Sequence, residues 1–82
     1  MTRRELTLIA ETRAALADGS ARARREAARI SVTEFAAAIG ASPAAVSLIE
    51  RLGPDGIPLR VPGTRLALAY GRALAALGQK AA

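Results

Sequence analysis

Glu34 and Glu50 are the acids between Ile30 and Glu50, and a pair of carboxylates is the first thing to test for acid–base chemistry. The pair lacks the partner such chemistry uses. The 82-residue chain has no His, and Glu34 stands three residues after Ser31, where it serves as the far half of a helix-capping box. Without Cys as well as His, the soft metal ligands and the thiol nucleophile are missing, which excludes a zinc finger, a disulfide scaffold and a Ser-His-Asp hydrolase. Ser42-Pro43-Ala44-Ala45 and Gly53-Pro54-Asp55-Gly56 have the chemistry of a cap and a turn, with no spacing that would cradle a phosphate. An enzyme is not expected, and neither is a cofactor, a metal or a small-molecule substrate.

The cations point elsewhere. Twelve Lys and Arg stand against seven Asp and Glu, a formal charge of +5, which favours a polyanionic partner. The charge is uneven along the chain. Residues 1–19 hold three Arg and three acids, residues 20–29 hold four Arg and one Glu, and residues 30–50 hold only the two Glu. Residues 51–82 hold four Arg, Lys80 and Asp55, so an acidic centre is flanked by basic segments.

Hydrophobic residues make up 51% of the chain and aromatics only 2%, so the core must be built from Ala, Leu, Ile and Val, which suits close-packed helices. No segment approaches the ~20 apolar residues of a membrane span, and Met1-Thr2-Arg3-Arg4-Glu5 is not followed by an apolar signal region. A cytoplasmic protein with no membrane contact is expected.

The elements that must position these charges follow from caps and periodicity. Thr2 with Glu5 forms a capping box for a first helix over about Arg3 to Ala17, with Leu6, Ile9, Ala10, Arg13 and Leu16 on its main stripe. Asp18-Gly19-Ser20 stops that helix and restarts another, with Ser20 as the cap of a second helix from Ala21 to about Arg29. Ser31 and Glu34 box a short third helix that ends at Gly40. Ser42-Pro43 starts a fourth, ending near Arg51 or Leu52. Residues 53–63 carry three Gly and three Pro and form a loop, and Thr64 caps a last helix with Leu66, Tyr70, Ala73, Leu74 and Leu77 on one face, ending at Gly78.

Two helices joined by a tight turn need a small residue where they touch, a turn residue tolerant of positive φ, and apolar residues that lock the pair to the domain. Ala36 is the first, Gly40 the second, and Phe35, Ile39, Ala41, Val46 and Ile49 the third, all within one short span. The pattern is that of a helix-turn-helix. One core is expected from Phe35, Ala36, Ile39, Val46, Ile49, Leu66, Tyr70 and Leu74.

The run from Arg25-Glu26-Ala27-Ala28-Arg29-Ile30-Ser31-Val32-Thr33-Glu34-Phe35-Ala36 to Ile49-Glu50-Arg51 resembles the Xre/Cro/phage-repressor family of DNA-binding domains, with its small actinobacterial and actinophage members. Arg60-Val61-Pro62-Gly63 and Leu66 to Arg72 are similar to the loop and closing helix of that group. The likeness covers about residues 20–78 and divides the chain into an N-terminal helical extension, 1–19, and a DNA-binding domain, 20–82.

The resemblance implies an all-α, lambda-repressor-like bundle of about five helices, a bacterial or phage transcriptional regulator, and double-stranded DNA as partner. It places Ser42, Pro43, Ala44, Ser47, Leu48 and Arg51 in the major groove and Thr33 at a phosphate. Where the family often has Gln, this chain has Thr33, and its one Gln is Gln79, so adenine cannot be read by a bidentate amide. Arg51, the hydroxyls of Ser42 and Ser47, and methyl contacts from Ala44 or Leu48 to thymine remain as readers.

The basic flanks make Arg22, Arg24, Arg25, Arg29 and Arg60, with Arg51, the candidates for phosphate contacts; their plain alternative is a solvated helix face. Leu8, Thr12 and Ala15 fall off the main stripe of the first helix, and Leu68, Ala75 and Ala76 off that of the last. These faces are offered to a second copy, since one small module binds weakly and a homodimer would read an inverted repeat. The competing possibility is a protein-interaction module that keeps the fold and uses Pro43, Ala44 and Leu48 against a protein.

Overall fold

The computed structural model describes residues 1–78, which form five helices: α1 Arg3–Ala17, α2 Ser20–Ala27, α3 Val32–Ile39, α4 Pro43–Glu50 and α5 Thr64–Gly78. Among the described residues there is no strand, only an isolated antiparallel bridge between Leu52 and Pro58. The all-helical bundle expected from the Ala- and Leu-rich composition is what the chain forms. Lys80, part of the C-terminal charge, and Gln79 lie outside the described residues.

Most helix starts follow the capping chemistry. Thr2 Oγ1 accepts from the Glu5 amide at 3.1 Å while Glu5 Oε1 accepts from the Thr2 amide at 2.8 Å. Ser31 and Glu34 make the same reciprocal pair at 3.0 and 2.9 Å. Ser42 Oγ accepts from the Ala45 amide at 3.1 Å, with Pro43 in the first turn, where its missing N–H costs nothing. The amides of the two boxes hold the Glu5 and Glu34 carboxyls below their ordinary range.

Three boundaries differ from expectation. Thr64 does not cap the last helix but is its first residue, with the Ala67 amide donating to the Gly63 carbonyl at 2.9 Å. Gly19, at φ +83°, ends α1 and is itself the N-cap of α2, so Ser20 is the first helical residue and its amide donates to Asp18 Oδ1 at 2.8 Å. A left-handed glycine already reverses the chain there, leaving no extended residue for Ser20 to be. The second helix stops at Ala27, short of Arg29: the Ile30 amide donates to the Arg25 carbonyl and the Arg29 amide to the Glu26 carbonyl, a Schellman closure. Arg29 occupies its left-handed position at φ +60°, where glycine is usual.

The core gathers Leu16, Ala21, Phe35, Ala36, Val46, Ile49, Tyr70 and Leu74, with Ile39 and Leu66 half-buried against it. Phe35 and Tyr70 pack with ring centroids 4.7 Å apart at 56°. Ile9 and Leu16 of α1 are buried, and α1 lies along α5. The faces set aside for a second copy in part cover one another instead. Thr12 is buried against α5, and a Cβ at Gly71 would stand 2.3 Å from Thr12 Oγ1 and 3.1 Å from Leu8. The bare backbone at Gly71 lets Leu8 and Thr12 approach, and this turns Leu6 and Ala10 outward. No single helix among the described residues is long and apolar enough to cross a membrane.

Candidate nucleic-acid interface

The axes of α3 and α4 are bent 109° from one another across Gly40, Ala41 and Ser42. Gly40 takes φ +72°, and the Ala41 amide returns to the Ala36 carbonyl at 2.9 Å, which closes α3 in a left-handed cap. Ala36 is fully buried, small enough for α4 to pack beside α3. The turn therefore holds α4 at a fixed angle, with Val46, Ile49 and Glu50 inward and the opposite face in solvent.

That outer face carries Ala44, Leu48 and Arg51, all exposed, with Ser47 partly so. Their spacing puts them on one side of the helix. Ser42 and Pro43 are exposed at its start, and the Ser42 hydroxyl, occupied as an acceptor, keeps its proton free to donate. Arg60 joins this face from the loop: its amide donates to the Leu48 carbonyl at 3.2 Å, and the Leu59 amide to the Arg51 carbonyl at 2.9 Å. The last turn of α4 thus anchors residues 59 and 60, so that Arg51 and Arg60 lie at one end of the exposed face.

The second-helix arginines divide. Arg29 is exposed beside the start of α3, where Thr33 is exposed as well. Arg22 is exposed but pairs with Glu26 at 3.3 Å, and Arg24 turns its guanidinium to the Leu74 carbonyl of α5, also at 3.3 Å. Arg25 does not stand in solvent for a phosphate to reach. Its side chain is 5% exposed and grips the 2%-exposed Glu50 with two bonds of 2.8 Å, Nε to Oε2 and Nη2 to Oε1. The assignment of Arg25 to phosphate binding is corrected accordingly: it falls four residues after the buried Ala21, on the inward side of α2.

Glu50, set aside above for want of a catalytic partner, has structural ones. It accepts from Arg25 and from the Tyr70 hydroxyl, the latter at 2.5 Å, and so ties α4 to α2 and α5. A signal for this was in the sequence, since Glu50 falls in phase with Val46 and Ile49 and a charge on an apolar stripe asks for a buried partner. The Glu50 carboxylate raises the Arg25 guanidinium above its ordinary value, and burial followed by the bond to Glu50 raises the Tyr70 hydroxyl far above its own.

The tyrosine shift sets an alkaline limit. A hydroxyl whose folded pKa lies above the unfolded value of 10.0 keeps its full contribution below that pH and loses it as pH rises beyond. Tyr70 is the one tyrosine and there is no Trp, so tyrosinate absorbance reports this group alone. The expected titration shows no tyrosinate until helical circular dichroism collapses, both in one cooperative step above pH 10.0. Smooth ionisation with the helices intact would contradict the buried bond. Comparison of the chain with family models, curated proteins and solved structures finds no match.

Proposed function

We propose that this chain is a sequence-specific DNA-binding transcriptional regulator of the Xre/Cro/phage-repressor kind, with α3 and α4 as its helix-turn-helix and the outer face of α4 in the major groove. The observation that carries this reading is the 109° pair with an outward face of Ala44, Ser47, Leu48 and Arg51, edged by Arg60. An α-helix with short side chains on one face can approach base edges closely, and the arginines at its end match the phosphates that border the groove. Within the site Arg51 reads guanine or holds a nearby phosphate, Ser42 and Ser47 bond base edges, and Ala44 and Leu48 meet thymine methyls. Pro43 sets the approach of the helix start. Arg29, Thr33 and Arg60 position the backbone, with Arg22 joining them when it leaves Glu26.

The protein acts by binding, as a homodimer on an inverted repeat with half-sites about 34–36 Å apart, in the cytoplasm of a bacterium or a phage-infected host. Its carboxylates at 34 and 50 are spent on a helix cap and an ion pair, which leaves neither for acid–base work.

Selection from a randomised duplex library tests this reading. The wild type enriches a defined sequence, Ser47→Ala and Arg51→Ala change the enriched bases, and Arg60→Ala weakens binding to all sequences and lowers the salt slope by roughly one. Arg29→Gly joins the phosphate arm with a distinctive sign. It relieves a left-handed non-glycine residue and raises stability by up to about 1 kcal/mol, while it weakens DNA binding without altering preference. If nothing is enriched, or if both Ser47→Ala and Arg51→Ala leave preference untouched, the α4 face is a protein-binding surface instead.

A further inference from the structure

One guanidinium touches both outer ends of the helix pair. Arg25 Nη1 donates to the carbonyl of Ile30, the residue directly before the Ser31 cap of α3, while Nε and Nη2 hold the two oxygens of Glu50 in the last turn of α4. The guanidinium is planar and rigid, so it keeps the entry of α3 and the exit of α4 at a fixed separation. Tyr70 adds a second brace, because its ring packs on Phe35 of α3 and its hydroxyl bonds Glu50 of α4. The joint between the two helices has open space beside it, since a Cβ at Gly40 would meet nothing within 4 Å. Arg51 follows Glu50 directly, and Ser47 stands one turn earlier on α4.

We propose that Arg25, Glu50 and Tyr70 are positioning residues for base reading: they set the angle at which α4 presents Ser47 and Arg51, and discrimination between sequences depends on them. The inference rests on the reading of α4 as the DNA-facing helix and goes beyond it, since all three residues are buried and none reaches a duplex. Stability alone does not account for the network. Desolvation offsets most of what a buried ion pair gains, and apolar groups of similar volume hold a fold as well or better. What apolar packing lacks is direction. Val46 and Ile49 keep α4 against the core, but such contacts change little when a helix turns or slides slightly, whereas hydrogen bonds weaken steeply away from their geometry. A binding constellation has to be held within ~0.5 Å of its productive geometry by neighbours that are themselves locked, and the Arg25 fork is such a neighbour for the end of α4.

The triple variant Arg25→Met, Glu50→Leu, Tyr70→Phe separates positioning from stability. It replaces the network by apolar side chains of similar volume and strands no charge, so the helical fold is retained, which circular dichroism and a thermal melt check. Two duplexes are used: the one that the wild type enriches, and the same duplex changed at the base pair whose preference Ser47→Ala or Arg51→Ala alters. The wild type is expected to separate them by ~10-fold or more. In the triple variant that ratio falls towards one, while affinity for random duplex and the salt slope stay as they were. A folded variant with the wild-type ratio overturns the proposal and leaves the network a structural role only. Should the triple variant not fold, Arg25→Lys takes its place: it keeps the charge but cannot hold Ile30 and both oxygens of Glu50 together, and the same loss of discrimination is expected. Amide hydrogen exchange without DNA gives an independent readout. The Arg51, Leu59 and Arg60 amides, bonded at the last turn of α4, are expected to exchange about tenfold faster in the variant relative to the amides of α1, and a uniform change along the chain overturns the brace. If the wild type binds no duplex, the DNA reading and the base-reading role fail together, and exchange still decides whether the network holds the end of α4.

Discussion

Replacing Glu50 with Ala is expected to cost about 3–5 kcal/mol, the largest effect of any single substitution considered for this domain. The carboxylate is the common acceptor for Arg25 and the Tyr70 hydroxyl, and all three groups are buried. Removing it leaves a guanidinium in the core with its remaining bond to the Ile30 carbonyl and a tyrosine hydroxyl with none, so the penalty is the desolvation of two stranded groups. A small domain has roughly 5–15 kcal/mol in total, and each kcal/mol is worth ~4–8 °C in a domain of this size, so the melting temperature falls by about 15 °C or more. Thermal melts of Glu50→Ala and of the double variant Arg25→Met, Glu50→Leu check the cause. The double variant recovers the part of the loss due to the stranded guanidinium, because replacing both charges with apolar groups of similar volume strands neither charge, while the Tyr70 hydroxyl still lacks its acceptor. A melting temperature for Glu50→Ala within a few degrees of wild type would mean the pair is not buried.

Gly71→Ala is expected to be the second most damaging change, at about 1–3 kcal/mol or more, although it adds one methyl group. In an exposed helix the same substitution would stabilise by about 1 kcal/mol, since Ala is the better helix former. Here the new Cβ would stand 2.3 Å from Thr12 Oγ1, closer than real Cβ atoms approach, and 3.1 Å from two atoms of Leu8, tighter than most, so the buried Thr12 and Leu8 must turn aside or α1 must move off α5. Pairing Gly71→Ala with Thr12→Ala removes the nearest obstacle and returns part of the loss. Chemical denaturation of both variants decides it, and a stabilised Gly71→Ala would contradict the close crossing of the two helices.

The local features were the legible ones. Both capping boxes, the Ser42-Pro43 start, the left-handed Gly40 and the loop at 53–63 are determined by a few neighbouring residues, and the structure has them where their chemistry puts them. What depended on how helices meet was not legible. The rotation of α1 that buries Thr12 and exposes Leu6 follows the space at Gly71, 59 positions along the chain, so the stripe of α1 read alone finds the buried Ile9 and Leu16 but misses Thr12 and wrongly includes Leu6 and Ala10. Arg25 was misassigned because its charge was counted and its helical phase was not. Arg29 carries no signal of its left-handed backbone, since a Schellman position filled by Arg looks like any other residue near a helix end. The outer face of α4 was legible as a set of positions, while the tie of residues 59 and 60 to its last turn came only with the fold.

The proposed contact of α4 and its flanking arginines with DNA is tested most directly by the equilibrium affinity of the wild-type protein for a duplex over a series of salt concentrations. With Arg29, Arg51 and Arg60 at phosphates, log affinity is expected to fall linearly with log salt at a slope between about −2 and −4 per protein bound. Absent binding at low salt, or an affinity that does not change with salt, would contradict the account.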